Sequence, residues 1–290
     1  MQKYSIPRHI WRAIYPFLIY LVVSVGIALA VSVGFILSEL TVEAAINLDT
    51  LDQDAILERA EAFIDEYGML MTLIASIGVT IVFSLMWRKI RTRIQRFDRS
   101  KFNPLLLLIT VLVCAGANYI LVFIVGITDI LRYFPDYEEV AQMLSGGDLI
   151  VRVLAIGVVA PIVEEILCRG IVFNRLNSWM PTWVAVVVSS ALFGLIHMNL
   201  FQAIYAFIVG LGFCMLYVRY RSLWIPIIGH MAFNMANLAL NEILTALGAE
   251  EINALFIIIP SVLATAGGIA YMIRFTKGAV PVRDRAEAEA

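Results

Sequence analysis

Roughly eight stretches of this chain hold about twenty mostly apolar residues, the length an α-helix needs to cross the hydrocarbon of a bilayer. They fall near 14–38, 68–87, 104–127, 150–173, 182–198, 200–218, 223–243 and 254–273. Hydrophobic residues make up 61% of the chain and charged residues 15%. A soluble domain carries about 25% charge, so a soluble fold is excluded. The expectation is an all-α polytopic membrane helix bundle of about eight transmembrane helices. The fifth and sixth stretches are short and nearly continuous, divided by Met198, Asn199 and Gln202. Lys3, Arg8 and Arg12 precede the first apolar run as in a signal peptide. That run continues to Leu37, beyond the roughly 7–15 residues of a signal h-region, which predicts an uncleaved span.

Charge sets the expected orientation. Arg88, Lys89, Arg91, Arg93, Arg96, Arg99 and Lys101 follow the second stretch, and positive-inside bias places them in the cytoplasm. If spans alternate, Arg175, Arg219, Arg221 and Arg274 fall on the same side, as do both termini. The acidic segments 39–66 and 129–148, and Glu250-Glu251, then lie outside. Leu51–Tyr67 has helical spacing of apolar residues and reads as a short helix on that outer surface. Three regions follow: 1–150 with three spans, a core over 151–245, and a last span and tail over 246–290. The chain is expected to be a multi-pass membrane protein, of the plasma membrane if prokaryotic. Membrane lipids are expected partners, and the net charge of -2 argues against nucleic acid.

Within the apolar stretches a few polar residues stand out. Glu164 and Glu165 sit in the fourth, where a charged side chain costs about 2.5 kcal/mol or more. Glu165 precedes Arg169 by four residues, the favoured order for an ion pair on one helix face. Glu164 is rotated away by about 100° and is left for another partner. Pro161, one turn earlier, removes a backbone donor and is expected to free the carbonyl of Gly157. In the fifth stretch Ser190, Phe193 and His197 share a face, with the Phe193 ring placed to wall and orient the imidazole. In the seventh, His230, Asn234, Asn237 and Asn241 form a polar stripe, and Gly229 allows close backbone approach. A carboxylate beside a histidine can take a proton from water and make it a nucleophile. A second histidine with an asparagine can donate hydrogen bonds to a developing oxyanion. Simple interhelical hydrogen bonding by the same residues stays open at this point.

The order Glu164-Glu165-Ile166-Leu167-Cys168-Arg169, Phe193-Gly194-Leu195-Ile196-His197 and His230-Met231-Ala232-Phe233-Asn234 resembles the EExxxR, FxxxH and HxxxN motifs of one family. This is the CAAX protease and bacteriocin-processing (bacteriocin-immunity) family of intramembrane endopeptidases. The resemblance covers roughly Val158–Leu240. It implies Glu164 as general base, His197 as holder of the attacking water, and His230 with Asn234 as the oxyanion site. Glu165, Arg169 and Phe193 are supporting residues. It implies a peptide or protein substrate, lipid-modified or not, and peptide processing or bacteriocin immunity in bacterial members.

Several alternatives accompany this reading. Cys168 lies one turn after Glu164, so a Cys–His mechanism fits the spacing. No cofactor is expected. The alternative is zinc, held by glutamate, His197 and His230 with a position open for water. The three cysteines, Cys114, Cys168 and Cys214, suggest neither a disulfide framework nor zinc-site spacing. A non-catalytic adaptor or immunity protein, or a proton-coupled transporter, could use the same buried groups. Cleavage is expected in the cytoplasmic half of the bilayer. Yet counting at about 1.5 Å per residue puts Glu164 about 15 Å deep, Asn234 about 16 Å and His197 about 22 Å. The fifth span must therefore tilt or start deeper.

Overall fold

The computed structural model describes residues 6–46, 53–94, 104–247 and 255–275. All eight apolar stretches are helical. The order is α1 (Ile6–Ile46), α2 (Gln53–Ile94), α3 (Pro104–Thr128), a 3₁₀ turn (Ile130–Tyr133), α4 (Tyr137–Ser145), α5 (149–177), α6 (Thr182–Leu195), α7 (Leu200–Tyr220), α8 (Trp224–Leu247) and α9 (Leu255–Phe275). No strand occurs among the described residues. Most of the basic loop after α2, Glu250-Glu251 and the tail beyond Phe275 lie outside them.

Five helical segments are long and apolar enough to cross a membrane: Pro7–Ser38, Glu66–Lys89, Pro104–Thr128, Leu200–Tyr220 and Leu255–Arg274. This is fewer than the expected eight, for local reasons. Helix α6 has only 14 residues. Helix α8 carries the polar stripe, and α5 changes its winding along its length. The expected short outer helix is also corrected. From Gln53 onward it is the first part of α2, one continuous helix of 42 residues.

Helix α5 occupies the centre of the bundle. Every residue from Val163 to Phe173 is buried, so this helix meets protein on all sides. Its apolar side chains pack with Ala13 and Phe17 of α1, Val79 and Phe83 of α2, Ala185 and Phe193 of α6, and Cys214 and Tyr217 of α7. Helices α3, α8 and α9 form a flank beside this core. At one end of the flank Leu106, Tyr220, Ile225 and Met272 cluster, bringing the start of α3, the end of α7, the start of α8 and the end of α9 together. Large exposed side chains on the outer helices are apolar, among them Leu29, Ile81, Leu108, Ile208 and Leu263, as lipid contact requires.

Two stretches of α5, Val153–Val159 and Ile166–Phe173, are wound as π-helix. In this winding each N–H reaches back five residues, and Ala160 N–H accordingly bonds the carbonyl of Ala155. The next donor in that register belongs to Pro161, which has none. The carbonyl released is therefore that of Ile156, not that of Gly157 as α-helical counting gives. The second π stretch is secured from outside. Asn174 Nδ2 donates to the carbonyls of Arg169 and Gly170 at 3.0 and 2.9 Å and lies 2.8 Å from the Tyr217 hydroxyl. Ser189 Oγ donates to the carbonyl of Cys168 at 2.8 Å.

Candidate active site

The glutamates on α5 meet different surroundings. Glu165 is fully buried and accepts from Arg169 Nη1 at 2.7 Å, the pairing expected from their spacing. Arg169 is equally buried. Its Nη2 donates to the carbonyl of Gly210 on α7 at 2.8 Å, and its guanidinium lies 4.5 Å from the centre of the Phe193 ring. A charged pair this deep persists because each member has a counter-charge and further partners. Glu165 has a second task that spacing did not reveal. His230 Nδ1 lies 3.1 Å from the same Oε1, within hydrogen-bond reach. On its other edge His230 Nε2 lies 3.7 Å from Glu164 Oε2. One imidazole thus stands between the carboxylates, fixed by the buried one and facing the other.

Packing around His230 fixes its plane. The Phe213 ring stacks on it with centroids 4.8 Å apart, and Phe193 meets it edge-on at 5.5 Å. Gly229 lets α8 approach α3, since a Cβ there would lie 2.9 Å from Cys114 Sγ. Asn234, one turn beyond His230, donates from Nδ2 to the carbonyl of Ile156 at 2.9 Å. This is the acceptor that Pro161 and the π winding leave free. Asn234 therefore ties α8 to α5 and has one amide hydrogen left for another acceptor.

His197 lies just past the end of α6, in the turn that leads to α7. Its Nδ1 is 2.9 Å from the carbonyl of Phe193, and the two rings meet edge-on at 5.2 Å. Phe193 thus walls both histidines. Helix α6 is short, its 14 residues spanning about 21 Å against about 30 Å of hydrocarbon, so it ends before the far surface and leaves His197 at depth. The turn residues Leu195, Met198 and Leu200 are exposed and apolar, consistent with a turn held below the membrane surface. Gly194 permits the tight return, because a Cβ there would lie 2.5 Å from the carbonyl oxygen of Ala203. Met198 has φ 56°, a left-handed conformation costly for a bulky residue, immediately after the histidine.

Glu164, His197, His230 and Asn234 line one cavity of about 470 Å³. Asn237 lines it too, while the side chain of Asn241 falls outside the described residues. Cys168 does not line the cavity and is fully buried. No group of three or more His, Cys, Asp or Glu is arranged to hold a metal ion among the described residues. Asn118 on α3 was not singled out from the sequence. It is 5% exposed, lines the cavity, and its Oδ1 has no hydrogen-bond partner among the described residues. A lone asparagine in an otherwise apolar span was the signal available for it.

Fold and site together define a polytopic helical membrane protein with a carboxylate–histidine site buried in its core. Residues 146–236 match the family described as type II CAAX prenyl endopeptidase Rce1-like. This match spans all three motifs and, with a membrane peptidase relative, supports the resemblance to the CAAX protease and bacteriocin-processing family. A protein named "Putative membrane peptidase YdiL" from Bacillus subtilis (strain 168) is 27% identical over 134 residues, 43% of this chain and 54% of that protein. An Escherichia coli protein named "Uncharacterized 24.3 kDa protein" is 32% identical over 119 residues, 39% of this chain and 54% of that protein. The chain spans about half the length of the curated relatives it matches. No solved structure matches.

Proposed function

We propose that the chain is an intramembrane endopeptidase that hydrolyses a peptide bond with a glutamate-activated water. The observation that carries this reading is the convergence of Glu164, His197, His230 and Asn234 on one cavity from two helices and a turn. Water held between Glu164 and His197 gives a proton to the Glu164 carboxylate, and its oxygen bonds to the substrate carbonyl carbon. The carbonyl oxygen becomes an oxyanion. His230, donating from Nδ1 to Glu165, accepts no further proton there and turns Nε2 to the cavity. In the imidazolium form it offers Nε2–H to the oxyanion, and Asn234 offers its remaining amide hydrogen. Glu164 then passes its proton to the amide nitrogen as the C–N bond breaks, leaving an acid and an amine. Arg169 compensates Glu165, and Glu165 aims His230. Phe193 and Phe213 exclude water from the donors, which strengthens them.

Comparative peptidomics of membranes carrying wild-type protein or Glu164→Gln tests the proposal. Peptides that disappear with Glu164→Gln, at equal protein level, support it. Unchanged peptides, together with a biological role still supported by Glu164→Ala and His230→Ala, would favour a non-catalytic adaptor or immunity protein. Zinc is tested separately, by assaying chelator-washed protein for bound metal and for turnover.

A further inference from the structure

The cavity is closed at one end and reaches towards the other. It does not extend along α5 beyond Glu164, since residues 165–173 are buried and none of them lines it. From Glu164 the cavity runs past Ala155 and Ile156, Asn118 of α3 and Thr72 of α2, to α4. Helix α4 is amphipathic and roofs it. Tyr137, Val140 and Leu144 recur at helical spacing on the cavity side, while Glu138, Glu139 and Gln142 are exposed. The roof is pinned by Phe201 at the start of α7, whose ring lies 5.4 Å from Phe134 and 4.7 Å from Tyr137. The shortness of α6 leaves the hollow beneath it.

Charge identifies the two ends. Arg8, Arg12, Arg88, Lys89, Arg175, Arg219, Arg221 and Arg274 sit at the end opposite α4. Arg175 binds the Arg12 carbonyl and the Tyr15 hydroxyl, and Arg219 donates to the carbonyls of Met272 and Ile273, so these basic termini are packed together. At the α4 end the segment 129–148 holds Asp129, Asp136, Glu138, Glu139 and Asp148 against one basic residue, Arg132. Basic residues mark the cytoplasmic side of a multi-pass protein.

We infer that the site is loaded from the non-cytoplasmic face, beneath α4, and that its substrate is an exported polypeptide or the outer segment of a membrane protein. This rests on the peptidase reading for the reaction, but the direction of access stands on cavity shape and charge alone. It replaces the expected cytoplasmic-half access.

Single cysteines at Met143 on α4 and at Asn237 in the cavity, in full-length protein, test the direction with a membrane-impermeant maleimide. Arg88→Cys marks the basic end, and Thr72→Cys serves if Asn237→Cys fails to accumulate. The native cysteines are buried and give low background. Labelling of Met143→Cys and Asn237→Cys in spheroplasts, with Arg88→Cys labelled only in inverted vesicles, is expected. Labelling of Asn237→Cys from the Arg88 side would overturn the inference. The substrate class is read from Glu164-dependent chain ends in native membranes. Ends mapping to exported segments support it, and ends confined to cytosolic proteins refute it while sparing the peptidase reading. Absence of any Glu164-dependent end defeats the peptidase reading and, with it, the substrate class, while the labelling pattern still decides the direction of access.

Discussion

Replacing Glu165 by glutamine removes a charge and keeps the shape. The amide carbonyl introduced there could still accept from Arg169 and His230, but the Arg169 guanidinium would be left without its counter-charge at 0% exposure. Breaking a fully buried pair from one side costs about 3–5 kcal/mol. The remaining partners of Arg169, the Gly210 carbonyl and the Phe193 face, are neutral and do not replace the lost charge. Glu164→Gln should behave differently, because Glu164 lines the cavity and its contact with His230 is longer, 3.7 Å. Its cost should stay below about 1 kcal/mol. In detergent, thermal unfolding followed by fluorescence should show Glu165→Gln melting on the order of 10 °C lower, and Glu164→Gln close to wild type. Glu165→Gln combined with Arg169→Met should recover most of the loss, since a neutralised pair leaves no orphaned charge. It should remain inactive, because His230 loses its carboxylate anchor. The reasoning is refuted if Glu165→Gln melts with wild type, or if the double variant is the least stable of the three.

Other outcomes follow from individual contacts. Asn234→Leu should cost about 1–3 kcal/mol by orphaning the Ile156 carbonyl, and should abolish turnover, seen by paired melting and peptide assays. Pro161→Ala restores a backbone donor for that carbonyl, so it should suppress the stability loss of Asn234→Leu without restoring cleavage. Gly194→Ala should destabilise by about 1–3 kcal/mol through its clash with the Ala203 carbonyl, measurable as a lower midpoint in thermal scans. Cys168→Ala should retain turnover, because the thiol does not reach the cavity.

Much of the site was legible because its residue types are costly in an apolar span. Glu164, His197, His230 and Asn234 have few reasons to be there, and their spacing placed each on one helix face. The ion pair of Glu165 with Arg169 follows from four-residue spacing. What spacing could not show depends on backbone winding and on contacts between distant segments. No side chain announces that α5 bonds five residues back, so the acceptor released by Pro161 was misplaced by one residue. The bridge from His230 to both carboxylates requires α8 to lie against α5, which periodicity does not encode. The roof over the cavity was hidden for a similar reason. Tyr137, Val140 and Leu144 belong to a short, moderately polar segment that has no span-length signal.

The π-wound stretch before Glu164 also carries a consequence for inheritance and engineering. A π turn holds one residue more than the α turn it replaces. Losing a single residue between Val153 and Val159 would let the helix relax to ordinary winding, with no break in the chain and the apolar character intact. The later side chains would then keep nearly their present facing, because a full turn closes in either winding, but the wide turn that leaves the Ile156 carbonyl to Asn234 would be lost. A single-residue deletion there should therefore loosen the tie between α8 and α5 more than it re-aims Glu164.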